Sequence, residues 1–194
     1  MASAPQIETF TGTRITVHSN HDFNTTMERL YAEIGSPSEG MKWPEIAKEI
    51  TSYDGSSKEA FISKVEKVVG SKGFMFFMVP PYPLSPHSSQ TNTQKELNHG
   101  FWLPLYNVGS GLQLKRVILG NPLIAITMLE HDLRAGLAVP VELLVRELGE
   151  GKGTDLVYHL PSSVVCGGSG DEKLWEAARG LDGKLGELVG WVAG

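Results

Sequence analysis

The stretch Val139-Pro-Val-Glu-Leu-Leu-Val-Arg-Glu-Leu148, followed by Gly149-Glu-Gly-Lys-Gly153 and Thr154-Asp-Leu-Val-Tyr-His-Leu160, decides the fold class. Two runs rich in β-branched and apolar residues flank a glycine-rich turn, which is the signature of an antiparallel hairpin. Upstream, Leu112 to Leu119 reads as a further strand. The turn-like Asn107-Val-Gly-Ser-Gly111 joins it to Phe101–Tyr106, which also reads as a strand. Gly73 to Val79 is a short apolar run stopped by Pro80-Pro81, and its length predicts a buried strand. Strands that follow one another without intervening helices predict an α+β fold with a mainly antiparallel sheet rather than a doubly wound one.

Helices fill the remainder. Residues 12–18 alternate as a half-buried strand, and Asp22 then caps a helix that turns Phe23, Met27, Leu30 and Ile34 inward until Gly35. A short helix is expected near Pro44. Ser56 and Glu59 have capping-box spacing before a second apolar stripe that ends at Gly70. Gly120-Asn121-Pro122 starts another helix, with Asn as cap and Pro preorganised for the first turn. That helix is expected to begin buried, turn polar at Glu130-His131-Asp132 and stop at Gly136. Ser169 and Glu172 repeat the capping-box spacing before Leu174, Ala178, Leu181, Leu185 and Leu188. The four glycines in that last helix, 180, 183, 186 and 190, predict either close packing or a break. Pro80 to Asn98 reads as a long loop, of the kind that serves as a lid. No repeat or linker divides the chain, so residues 1–194 are expected to form one domain.

Composition excludes several classes of function. The 194 residues carry a formal charge of -5 and no basic run, which argues against a nucleic-acid binder held by many phosphate contacts. The single cysteine, Cys166, cannot form an intrachain disulfide. Met1 to Phe10 has no signal-peptide pattern and no apolar run reaches the length of a membrane span. A cytoplasmic protein with no membrane partner is the expectation.

The run Ile118-Leu-Gly-Asn-Pro-Leu-Ile-Ala-Ile-Thr-Met-Leu129, with Ala135-Gly-Leu-Ala-Val-Pro140 and Val157-Tyr158, resembles the DUF302 family. Its members carry a strand ending in Gly-Asn-Pro, a helix, an Ala-Gly-Leu-x-x-Pro turn and a strand pair. Asn98-His99-Gly100 falls where the family has an Asp-His element, and this variant together with Pro161-Ser162-Ser163 is similar to the fungal branch. The resemblance spans residues 12–165 and implies a TBP-like β-α-β(4)-α unit, often dimeric. It also implies a link to secondary metabolism, hence chemistry on an aromatic or polyketide-like molecule. The segment 43–69, the loop and the last helix are additions to that unit.

Three residues are candidates for chemistry. His99 beside aromatic side chains suits proton transfer on a flat apolar substrate, because imidazole titrates near neutral pH. It equally suits a strand-end histidine satisfied by backbone. Asn121, with the amides of Leu123 and Ile124 left free at a helix start, could polarise a carbonyl or stabilise an oxyanion, or could simply cap the helix. His131 lies near the C-terminal end of the same helix. Trp102, Tyr106, Phe76, Met128 and Tyr82 are the expected substrate-binding walls. His18, His21 and Asp22 lack a second cluster that would complete a metal site, and no metal or cofactor is expected. The leading expectation is thus a cofactor-independent enzyme of acid/base cyclisation, isomerisation or alkene hydration acting on a hydrophobic small molecule. The alternative is a non-catalytic dimeric binding or interaction module.

Overall fold

The computed structural model describes residues 4–35, 50, 52, 55–77 and 96–194. The helix expected near Pro44, Tyr82 and residues 80–95 of the expected loop lie outside them. Among the described residues, six strands form one antiparallel sheet: β1 (Arg14–Ser19), β2 (Met75–Phe76), β3 (Glu96–Asn98), β4 (Leu114–Gly120), β5 (Val141–Glu147) and β6 (Thr154–His159). Their order is β1-β6-β5-β4-β2, with β3 also on β4. The fold class is α+β, and the β5–β6 hairpin sits at its centre with Leu143 opposite Tyr158 and Val145 opposite Leu156.

Two helices cover one face of the sheet. α1 (Phe23–Ile34) is capped by Asp22, whose carboxylate accepts from Thr25 N, and ends at Gly35 with φ 78°. Its Phe23, Met27, Leu30 and Ile34 are all buried, as the spacing predicts. The long C-terminal helix, Glu172–Ala193, buries Leu174, Ala178, Leu181, Leu185 and Leu188. Its cap is Asp171 rather than Ser169, with the carboxylate accepting from Lys173 N and Leu174 N. The helix is unbroken, and a Cβ at Gly180, Gly183 or Gly190 would meet nothing within 4 Å. Neither expected consequence of the glycines occurs: they face outward, and the leucine face packed on the core holds the helix together.

The segment expected as a strand over Phe101–Tyr106 is instead two 3-10 turns, His99–Phe101 and Leu103–Tyr106. Pro104 has no N–H for a ladder, and Asn107 takes the left-handed conformation (φ 57°) that closes the second turn. The edge of β4 is already occupied. Phe77 N donates to Ile118 O at 3.0 Å, and Glu96 stands opposite Val117, the next residue along β4. β2 and β3 thus continue one line along the same edge of β4, with Phe77 and Glu96 at neighbouring positions. The end of the expected loop, Glu96–Asn98, is strand.

α2 (Gly55–Val68) starts ahead of Ser56, so Ser56 is inside the helix and not its cap. Its Val65 is buried with Met75, and Leu123 packs against that pair. α3 (Pro122–Leu129) and a 3-10 turn, Leu133–Leu137, lead from β4 to β5. Only Met128 of α3 is buried, although seven of its eight residues are apolar or proline. The expectation of a buried start fails because α2 stands off one side of the helix and leaves a cleft.

Candidate functional site

That cleft has a volume of about 900 Å³ and lies between α2 and α3, closed at its base by the ends of β2 and β4. Phe61 and Ile62 form one wall, Leu123, Ile124 and Ile126 the other, and Phe77 and Met128 reach its floor. Apolar lining with a few polar groups and a volume of this size are the properties of small-molecule sites.

A glycine such as Gly120 at the end of a strand can leave backbone open to a ligand. The structure fills that space instead: a Cβ there would lie 3.0 Å from Pro140 Cβ and 3.2 Å from Phe77 Cε2. Glycine lets β4 pack under the Val139–Pro140 segment, whose peptide bond is cis.

Asn121 caps α3 as predicted, with its side-chain oxygen accepting from Leu123 N at 2.8 Å. Its Nδ2 donates to Gly73 O at 3.1 Å, and Asn121 O accepts from Ile124 N at 3.0 Å. Pro122 has no N–H, so the first amides of the helix are all accounted for. The amides of Leu123 and Ile124 are not free, and the oxyanion role expected of this helix start is corrected to a structural one.

His99 is not in this cleft. It follows Asn98, which stands opposite Lys115, whereas Asn121 lies six residues further along the β4 strand direction. At ~3.3 Å per residue that separates the two by roughly 20 Å, more than a small substrate spans. The mechanism that joins His99 to Asn121 on one reacting centre therefore has no geometric basis. His99 does have aromatic company. Its ring centroid is 6.0 Å from that of Trp102, and Trp102 is 6.2 Å from Tyr106, both edge to face. Turn periodicity aligns these three, whereas strand alternation would set His99 and Trp102 on opposite faces.

The other expected residues disperse. Phe76 is fully buried in the main core, and Met128 is buried there while also reaching the cleft floor. His131 Nε2 is 3.8 Å from Glu130 Oε1 and lines a shallower depression with Lys173 and Lys184. Glu130, Leu123, Ile124 and Thr127 border both the depression and the cleft. His18 Nδ1 is 3.2 Å from Asp155 Oδ1, and Arg146 pairs with the other oxygen. Burial pushes the Asp155 carboxyl up, but hydrogen bonds from Arg146 and His18 outweigh it and hold the group below its ordinary value. Cys166 is buried, and burial raises its thiol, consistent with an unreactive side chain. Among the described residues no group of three or more His, Cys, Asp or Glu is placed to hold a metal ion. No described helix is long and apolar enough to cross a membrane.

Sequence reasoning missed Phe61, Ile62, Ile124 and Ile126. No local signal marked them: a helix apolar on every face reads as fully buried, and only the assembled chain shows that α3 is not.

The sequence pattern of DUF302, described as a domain of unknown function, matches residues 92–189, just over half of the chain. The chain belongs to the DUF302 family. The family region contains β3 to β6, α3 and most of the C-terminal helix; α2, which supplies one wall of the cleft, precedes it. The crystal structure of an uncharacterized conserved DUF302 protein from Bacillus stearothermophilus is similar, with a TM-score of 0.55 at 17% identity. The likeness covers 92% of this chain and 96% of that one, and it concerns the fold. No curated protein matches the chain.

Proposed function

We propose that this DUF302 protein binds a hydrophobic small molecule in the cleft between α2 and α3. The observation that carries this reading is the apolar cleft of about 900 Å³ beside a helix whose Ile126 is half exposed. A neutral fluorescent probe such as N-phenyl-1-naphthylamine tests it. Saturable binding is expected, weakened about tenfold by Ile126→Asp, which places a charge on the apolar wall at an exposed position. Absence of saturable binding would show the reading to be wrong. An aromatic or polyketide-like ligand from secondary metabolism suits a lining that includes Phe61, Phe74 and Phe77.

Acid/base turnover of that ligand is a further part of the proposal, and of the expected carriers His131 is the one retained, now with Glu130 beside it. Glu130 lines the cleft and has His131 at 3.8 Å, so this pair is its carboxylate–imidazole unit.

A second reading, association of two copies, is favoured by a different observation. Phe101, Trp102, Leu105 and Tyr106 are 81%, 44%, 79% and 71% exposed on the turns after β3. Residues 97–114 contain no Asp, Glu, Lys or Arg. A charge-free apolar patch lets two copies of an acidic protein meet about a two-fold axis without opposing like charges.

A further inference from the structure

The cleft has a chemical polarity that narrows its ligand beyond "hydrophobic". Lys58, Phe61, Ile62 and Val65 occupy positions i, i+3, i+4 and i+7 of α2 and therefore share one face of the helix. Val65 ends that row in the buried contact with Met75, Phe61 and Ile62 form the wall, and Lys58 stands at the rim. A lysine on the apolar face lays its methylene stem along the wall and carries its ammonium to the mouth.

The remaining polar groups of the lining are already engaged. Asn121 bonds Leu123 N and Gly73 O, and Thr127 Oγ1 donates to Ile124 O at 2.8 Å. Glu130 has His131 Nε2 3.8 Å from its carboxylate and borders the second depression as well as the cleft. Among the described lining residues, Lys58 is the charged group without a partner. Lys58 is the cation in this lining that an anionic head group could meet, whereas Glu130 would oppose an anion placed beside it.

On the reading of the cleft given above, we infer that its ligand is an apolar monocarboxylate, with the carboxylate on Lys58 and the hydrocarbon or ring portion against Phe61, Ile62 and Ile124. The long-range field of a chain with charge -5 repels anions, so selection of a carboxylate has to come from a local cation.

Calorimetric titration of the full chain with dodecanoate and with 1-dodecanol tests this. The two share a tail and differ in the head. Dodecanoate is expected to bind more tightly than the alcohol, and Lys58→Gln to weaken dodecanoate about three- to tenfold, the range of a partly exposed ion pair, while leaving dodecanol unchanged. Lys58→Glu should weaken dodecanoate further. Equal binding of the two ligands, or equal loss of both in Lys58→Gln, would overturn the carboxylate assignment and leave the apolar cleft standing. Failure of both ligands to bind the wild-type chain would overturn the cleft reading as well.

Discussion

The side-chain amide of Asn121 donates to the carbonyl of Gly73 at 3.1 Å, tying the start of α3 to the chain just ahead of β2. The same side chain caps its helix through Leu123 N. Asn121→Ala removes both bonds and leaves a part-buried carbonyl without its donor, so a loss of about 2 kcal/mol is expected in urea unfolding. Asn121→Asp retains the cap and loses the Gly73 bond, so it should cost about half as much. Equal losses for the two variants would mean that the cap contributes nothing, and no loss in Asn121→Asp would mean the same of the Gly73 contact.

β2 and β3 abut on β4, with Phe77 at Ile118 and Glu96 at Val117. Joining Phe77 directly to Glu96 by deleting residues 78–95 should therefore continue one strand. The shortened chain is expected to fold with unchanged circular dichroism and an equal or higher melting temperature, since a loop closure is removed from folding. An unfolded product would show that the excised segment is needed to hold the edge.

Two glycines should respond in opposite directions to alanine. A Cβ at Gly70 would sit 1.4 Å from the carbonyl oxygen of Glu33, so Gly70→Ala forces the backbone apart and should cost about 3 kcal/mol or more. Gly183 faces open space in the C-terminal helix, and Gly183→Ala should stabilise by about 0.5–1 kcal/mol. Thermal denaturation of both variants measures the contrast.

Asp155 makes stability depend on pH in a defined direction. Its folded carboxyl is held below the ordinary value, so its contribution is present above the ordinary carboxylate range, about pH 4, and is lost as pH falls through the folded value. Asp155→Asn keeps the shape but not the charge that Arg146 and His18 meet. The gap between wild type and variant should be about 2 kcal/mol at pH 7 and should close on acidification. A gap independent of pH would assign the loss to packing.

The exposed aromatic turns give the association reading a separate check. Phe101→Ser with Tyr106→Ser should convert a dimer to monomer in sedimentation equilibrium with little change in melting temperature, because both side chains lie outside the core. A wild-type chain that is monomeric at high concentration would remove that reading.

Much of the fold is legible locally. The helix from Asp22 to Gly35 carries its cap, its stripe and its stop within 14 residues, and each signal acts over one turn. The β5–β6 hairpin is equally local, since the glycine-rich turn between Glu147 and Thr154 sets its register. Phe101–Tyr106 was misread because its residue types suit a strand, while strand formation needs a partner edge and β3 holds that edge. For the site, Asn121 was recognised as a cap, but its bond to Gly73 spans 48 residues and leaves no trace in local spacing. His99 and Asn121 were joined on chemical type alone, which says nothing about the length of β4 between them.

Sequence by itself determined the α+β class, the helices capped by Asp22 and Asn121, the central hairpin and the family, because these rest on short-range periodicity, turn chemistry and a recurring motif. Tertiary structure alone decided that the strand before residue 78 resumes at residue 96, and that the apolar helix after Asn121 is left half covered beside α2. Both depend on which distant surfaces exclude water from one another. Burial is a property of the assembled chain, and a run of isoleucines reads the same whether it faces a core or the wall of a cleft.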